Sequence, residues 1–127
     1  MKLLFEMSVN SKSIEEAIED YKENNVVEDD LDFDYIKRTV EGTFLKEEFL
    51  KETIEINLTN WKYNRISKVN IAILKIAVYE MYFDEDIPDK VSINEAIELS
   101  KKYSDEKAPS FINGVLGNII RKKEQSQ

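Results

Sequence analysis

The chain has 127 residues, with 26 acidic and 18 basic side chains and a formal net charge of −8; this length supports one hydrophobic core and is too short for two independent ones. It contains neither Cys nor His, which excludes disulfides, thiolate nucleophiles, thiolate metal sites and imidazole bases, and leaves any catalysis to carboxylates, Lys or Tyr. The longest apolar run, Ile71 to Phe83, is interrupted by Lys75 and Glu80 and falls short of the about 20 residues that cross a bilayer; no basic-then-apolar leader opens the chain, so the simplest location is the cytoplasm.

Three Gly and two Pro in a chain rich in Glu, Lys, Leu, Ile and Ala predict helices joined by short connections. Leu3, Leu4 and Met7 form a short amphipathic piece. Ser13 and Glu16 are spaced as a capping box opening a second helix, with Ile14, Ala17, Ile18 and Tyr21 on one face. The acidic segment Glu28-Asp29-Asp30 follows as a loop. From about Asp32 a long third helix carries Phe33, Ile36, Val40 and Phe44 in one stripe, and Leu50, Ile54 and Leu58 in a drifting continuation. Gly42 inside it costs about 1 kcal/mol relative to Ala, so it marks a close helix contact. A fourth helix, Lys68 to Phe83, is apolar nearly all round, the pattern of a central buried helix.

Beyond Pro88, Ser92 and Glu95 are spaced as a second capping box, which predicts a fifth helix with Ile93, Ala96, Ile97 and Ser100 inward. A sixth begins near Pro109, a residue suited to a first turn, and buries Ile112, Val115, Leu116 and Ile119. Its basic end, Arg121-Lys122-Lys123, complements the helix dipole. The expected architecture is all-α: one compact bundle of about six to seven helices.

The net charge hides an asymmetry. Residues 1 to 60 hold 16 acidic and 7 basic side chains, whereas residues 61 to 127 hold 10 and 11. The first half repels a polyanion and the second tolerates one. Lys101, Lys102 and Lys107 lie close in sequence to Phe111, and cations beside an aromatic suit single-stranded RNA, which stacks a base while its phosphates are neutralised. The same lysines also read as a solvated helix face and loop. Trp61, between two helices, reads as core. Glu95 is explained by its capping box and Asn94 by first-turn hydrogen bonding. For Tyr79 and Glu80, a buried hydroxyl bonded to a carboxylate serves as well as a binding site. The run Asp84-Glu85-Asp86 is a solvated acidic stretch, and no metal ligand set is expected from it. There is no phosphate-cradling Gly-rich loop and no nucleophile elbow; neither catalysis nor a cofactor is expected.

The ordered motifs Trp61-Lys62-Tyr63-Asn64-Arg65-Ile66, Ile73 to Met81 (ILKIAVYEM), Ile87 to Tyr103 (IPDKVSINEAIELSKKY) and Phe111 to Leu116 (FINGVL) resemble the NusB family of transcription antitermination factors. The resemblance covers close to half the chain. It implies two packed helical subdomains in a single domain spanning 1–127, here divided as 1–60 and 61–123, with a tail at 124–127. It also implies binding of the boxA element of ribosomal RNA transcripts together with the ribosomal small-subunit protein NusE, within the RNA polymerase antitermination complex. Some family members self-associate.

In such proteins RNA is held by an Arg-rich start of the first helix and by the helix start before FxNGVL. Phe111 matches the aromatic of the second region, led by Ala108, Pro109 and Ser110, and Phe5 falls where an aromatic is usual on the first helix. The RNA-binding residues expected here are Lys2 and Phe5 in the first region, and Lys101, Lys102, Lys107, Ser110 and Phe111 in the second. Asn70, Lys75 and the outer side of the fourth helix match the region that meets NusE, although many relatives are acidic at the position of Asn70. Asn113 and Gly114 open the last helix, where Gly permits close approach. The chain departs from the pattern before Met1-Lys2-Leu3-Leu4-Phe5, where an Arg-rich stretch is usual. A helix already in its apolar pattern at Leu3 looks cut, so an upstream extension is expected; otherwise the chain binds RNA weakly by itself. Two other readings are an accessory domain like those of rRNA cytosine methyltransferases and a helical homodimerisation module without RNA.

Overall fold

The computed structural model describes residues 1, 4–5, 33–59 and 61–125. Among them it is helical without strands: α1 (Phe33–Leu45), α2 (Glu47–Ile56), a 3-10 turn (Tyr63–Arg65), α3 (Lys68–Phe83), α4 (Asp89–Tyr103) and α5 (Ala108–Gln125). Leu4 and Phe5 are also helical. The expected all-α class holds, with five α-helices among the described residues rather than six or seven. Leu3, Met7, the capping box at Ser13 and Glu16, the face from Ile14 to Tyr21, the acidic loop 28–30, Asp32 and the side chain of Phe33 lie outside the described residues.

The long third helix of the sequence reading is two helices. Lys46 leaves helical geometry, at φ −104° and ψ 17°, while backbone bonds Lys46 N–H to Gly42 C=O and Leu50 N–H to Lys46 C=O carry the chain across the break, both at 2.9 Å. A straight helix would carry the drifting stripe away from the core. The break returns Leu50 and Ile54 to the interior, and Phe44 just before it is 77% exposed.

Helix α3 is central and packs against the other four helices. Its Ile73, Leu74, Ala77 and Val78 meet Leu50 and Ile54 of α2, Ala96 and Leu99 of α4, and Ile112, Leu116 and Ile119 of α5 in one buried cluster. Ser67 caps its start, the hydroxyl accepting the Asn70 N–H at 3.1 Å. At Gly42 a Cβ would run into the Tyr79 ring, so this glycine does mark a close contact, between α1 and α3.

Helix α4 starts earlier than its sequence suggests. Pro88 is its N-cap and Asp89 its first residue, so Ser92 lies inside the first turn and forms no capping box with Glu95. Ser92 is needed elsewhere: fully buried, it donates to Glu80 Oε1 at 2.9 Å. The Tyr35 hydroxyl donates to the other oxygen, Oε2. Glu80, 1% exposed, is thus bonded from α1 and α4 at once, and its phenolic partner is Tyr35 rather than the neighbouring Tyr79. Burial holds the Glu80 carboxyl above the usual carboxylate range, opposed by the hydrogen bonds from Tyr35 and Ser92. The predicted inner face of α5 is buried as expected at Ile112, Val115, Leu116 and Ile119. Lys123 in its last turn bonds Asp89 Oδ2 at 3.0 Å and the Met81 carbonyl.

Candidate nucleic-acid interface

The short link between α4 and α5 is built by local hydrogen bonds. Asp105 Oδ1 accepts the Lys107 N–H at 3.0 Å, and the Asp105 and Lys107 carbonyls accept the Ala108 and Phe111 N–H groups, both at 3.2 Å. The link is tied to the start of α3, because the Ser104 hydroxyl donates to Asn70 Oδ1 at 2.8 Å. This tie fixes the first turn of α5 beside the segment that leads into α3. There Phe111 meets Trp61 edge-to-face, ring centroids 6.1 Å apart at 73°.

The two rings share a groove of about 200 Å³ with Arg65, Ser67, Asn70 and Lys107. Trp61 is 58% exposed, which corrects its reading as a core residue. It lies on non-helical backbone ahead of the 3-10 turn, outside every packed helix face, and among the described residues Phe111 is its one aromatic neighbour. Lys62, Arg65, Lys68 and Lys107 are exposed, and among the described residues none of them forms an ion pair. The one carboxylate lining the groove, Asp105, accepts the Lys107 backbone N–H and leaves Arg65 and Lys107 in excess of it. Fixed aromatics beside unneutralised cations can stack a base and hold its phosphates.

The other expected residues divide clearly. Ser110 is exposed on the first turn of α5, and Phe111 and Lys107 line the groove. Lys101 pairs with Glu98 at 3.3 Å, and Lys102 lies over the Tyr103 ring at 5.3 Å; both line a shallow depression that also holds Glu98 and Glu95, the latter 3.7 Å from the Met1 ammonium. Phe5 is 3% exposed and packs on Tyr103 with centroids 4.9 Å apart. It is a core residue, because burial of its ring leaves no face for a base. Lys2 lies outside the described residues.

Asn70 is buried and turned to Ser104, which removes it from the outer side of α3. Lys75 remains there, bonded to Glu47 at 3.1 Å beside a depression of about 270 Å³ lined by Thr43 and the exposed Phe44. Gly114 has open space where a Cβ would stand, so it serves no close helix approach. Asp84 is 3.6 Å from Arg38 and accepts the Asp86 N–H at 3.2 Å. Among the described residues no group of three or more carboxylates is placed to hold a metal ion.

The sequence reading missed Trp61, Lys62 and Arg65. A signal was present: Trp61 to Lys68 holds three cations and no carboxylate in an acidic chain.

Residues 1–121 match the NusB family model. The transcription antitermination protein NusB of Clostridium acetobutylicum is 52% identical over 125 residues, covering 98% of this chain and 92% of that protein. That of Clostridium novyi is 51% identical, covering 95% and 92%. Among solved structures, NusB of T. maritima aligns with a TM-score of 0.75 at 28% identity, covering 99% of this chain and 91% of that one. A structure of antitermination factors NusB and NusE in complex with dsRNA aligns with a TM-score of 0.76 at 26% identity, covering 94% and 89%.

Proposed function

The chain belongs to the NusB family of transcription antitermination proteins, and from that premise we propose that it binds boxA-type RNA of ribosomal RNA transcripts together with NusE, as a non-catalytic member of the RNA polymerase antitermination complex in the cytoplasm. The observation that carries the RNA part is the Trp61–Phe111 groove, where Arg65 and Lys107 stand exposed without an ion pair among the described residues. Cations of this kind supply the sequence-independent attraction to phosphate, and the rings supply stacking. The solved NusB–NusE complex with dsRNA supports the same pair of partners. No helix among the described residues is long and apolar enough to cross a membrane.

For NusE we assign the outer side of α3 around Lys75 together with Phe44 of α1, where an exposed aromatic beside a depression suits a protein surface. The division into helical subdomains at 1–60 and 61–123 belongs to the same reading. A titration with boxA RNA, with and without NusE, tests it. Binding strengthened by NusE and weakened by Phe111→Ala is the expected result; absence of binding under both conditions contradicts it.

A further inference from the structure

We propose that Trp61 is a stacking ridge in a single-stranded RNA path that continues beyond the Phe111 groove, over the indole, and onto the corner between α2 and α3. This rests on the RNA-binding reading above and extends it to residues that reading does not require.

Trp61 lines two depressions. One is the groove it shares with Phe111, Arg65 and Lys107. The other, of about 370 Å³, is lined by Lys51, Glu55, Leu58, Lys62 and Tyr63. The indole is therefore the wall between them. Its edge-to-face contact with Phe111 holds it upright, and a ring fixed in advance loses little freedom when a base stacks on it. The Phe111 groove, about 200 Å³, is smaller than the roughly 300–1,000 Å³ of a drug-sized site, which suits one ring system rather than a stacked pair. The contact with Phe111 leaves no slot between the two rings, so a base stacks on the exposed indole instead of being sandwiched.

Charge identifies the occupant. In a chain of net charge −8, Lys62, Arg65 and Lys68 follow the indole within seven residues without a carboxylate among them, and all three are exposed. Lys51 adds a cation over the Tyr63 ring at 5.2 Å, although Glu55 at 3.8 Å partly offsets it. An apolar protein partner would gain nothing from Lys62, Arg65 and Lys68, which have no ion pair among the described residues, whereas a phosphate backbone crossing the ridge meets Arg65 on one side and Lys62 on the other. The strand must be single, because a base within a duplex has no free face to offer the indole.

Trp61 is the chain's one tryptophan, so its emission reports the ridge directly. The 127-residue chain is titrated with a fluorescein-labelled single-stranded boxA RNA, with and without NusE, following label anisotropy and the emission that wild type shows in excess of Trp61→Phe. The path requires saturable quenching with the same midpoint as the anisotropy. It further requires about tenfold weaker binding for Trp61→Ala, near-wild-type binding for Trp61→Phe, and a salt slope lower by roughly 0.7 for Lys62→Gln. The Lys62→Gln result stands even if Trp61→Ala fails to fold. RNA binding with unchanged emission and unchanged affinity in these variants overturns the ridge and leaves the RNA-binding function in place. Absence of RNA binding even with NusE overturns both. Quenching by NusE alone, or equal quenching by a duplex of the same sequence, overturns the assignment to single-stranded RNA.

Discussion

Two cationic regions flank the C-terminal half of this molecule, and they differ in what surrounds the charge. At the end of α4, Lys101 is paired with Glu98, Lys102 lies over Tyr103, and Glu95 lines the same depression. At the entry to α3 and α5, Lys62, Arg65 and Lys107 have no ion pair among the described residues and stand beside an exposed Trp61 seated on Phe111. Both regions look equally basic when cations are counted. Phosphate responds to cations whose field is not already neutralised, which sets the second region apart.

The strongest way to break this distinction is to remove its aromatics. Phe111→Ala takes away both a groove wall and the seat of Trp61, and should weaken RNA binding by about 1–3 kcal/mol, roughly fivefold to 150-fold, in a direct titration; equal affinity would move the site away from α5. A second variant separates binding from folding. Gly42→Ala forces a Cβ into the Tyr79 ring, so thermal unfolding should show a loss of about 1–3 kcal/mol from overpacking, with RNA affinity of the folded fraction unchanged. If affinity fell in parallel, the groove would be coupled to the α1–α3 contact and the two regions could not be compared in isolation.

The smallest effect concerns pH. The Glu80 carboxyl is raised by burial, so the folded state holds its proton more tightly than the unfolded chain does. Its contribution is fully present below the ordinary carboxylate range and is lost as pH rises through the raised value. Glu80→Gln removes that loss. The difference in Tm between the variant and wild type should therefore move in the variant's favour as pH rises from the ordinary carboxylate range through the raised value, while groove binding stays the same. A difference independent of pH would show that Glu80 is not the titrating group.

The sequence was most informative where periodicity and chemistry agreed. The apolar helix from Lys68 to Phe83 is central, its buried Asn70 and Glu80 being hydrogen-bonded to neighbouring elements, and the stripe Ile112, Val115, Leu116 and Ile119 is buried because all four positions are apolar. Gly42 was correctly singled out because a helix tolerates glycine poorly unless another element needs the space. The misreadings share a cause: a local pattern had a tertiary competitor. Ser92 and Glu95 have the spacing of a capping box, but the Glu80 carboxylate claims Ser92 and Pro88 starts the helix. The stripe from Ile36 to Leu58 reads as one helix until Lys46 breaks it. Phe5 and Asn70 have residue types suited to contact, and whether such residues face inward depends on neighbours remote in sequence, Tyr103 and Ser104. Trp61 is of a type that is usually buried, yet it stands exposed at the head of a segment marked by Lys62, Arg65 and Lys68.

The central distinction is tested most directly by two double variants with the same change in net charge. Arg65→Gln with Lys107→Gln alters the groove region, and Lys101→Gln with Lys102→Gln alters the end of α4, where Lys101 is ion-paired with Glu98 and Lys102 lies over Tyr103. The quantity to measure is the slope of log affinity for single-stranded boxA RNA against log salt, in the presence of NusE. The first pair should lower the slope by roughly 1.4, about 0.7 per lost phosphate contact, and the second should leave it within error of wild type. Equal losses from the two pairs, or a larger loss from Lys101 and Lys102, would contradict the account.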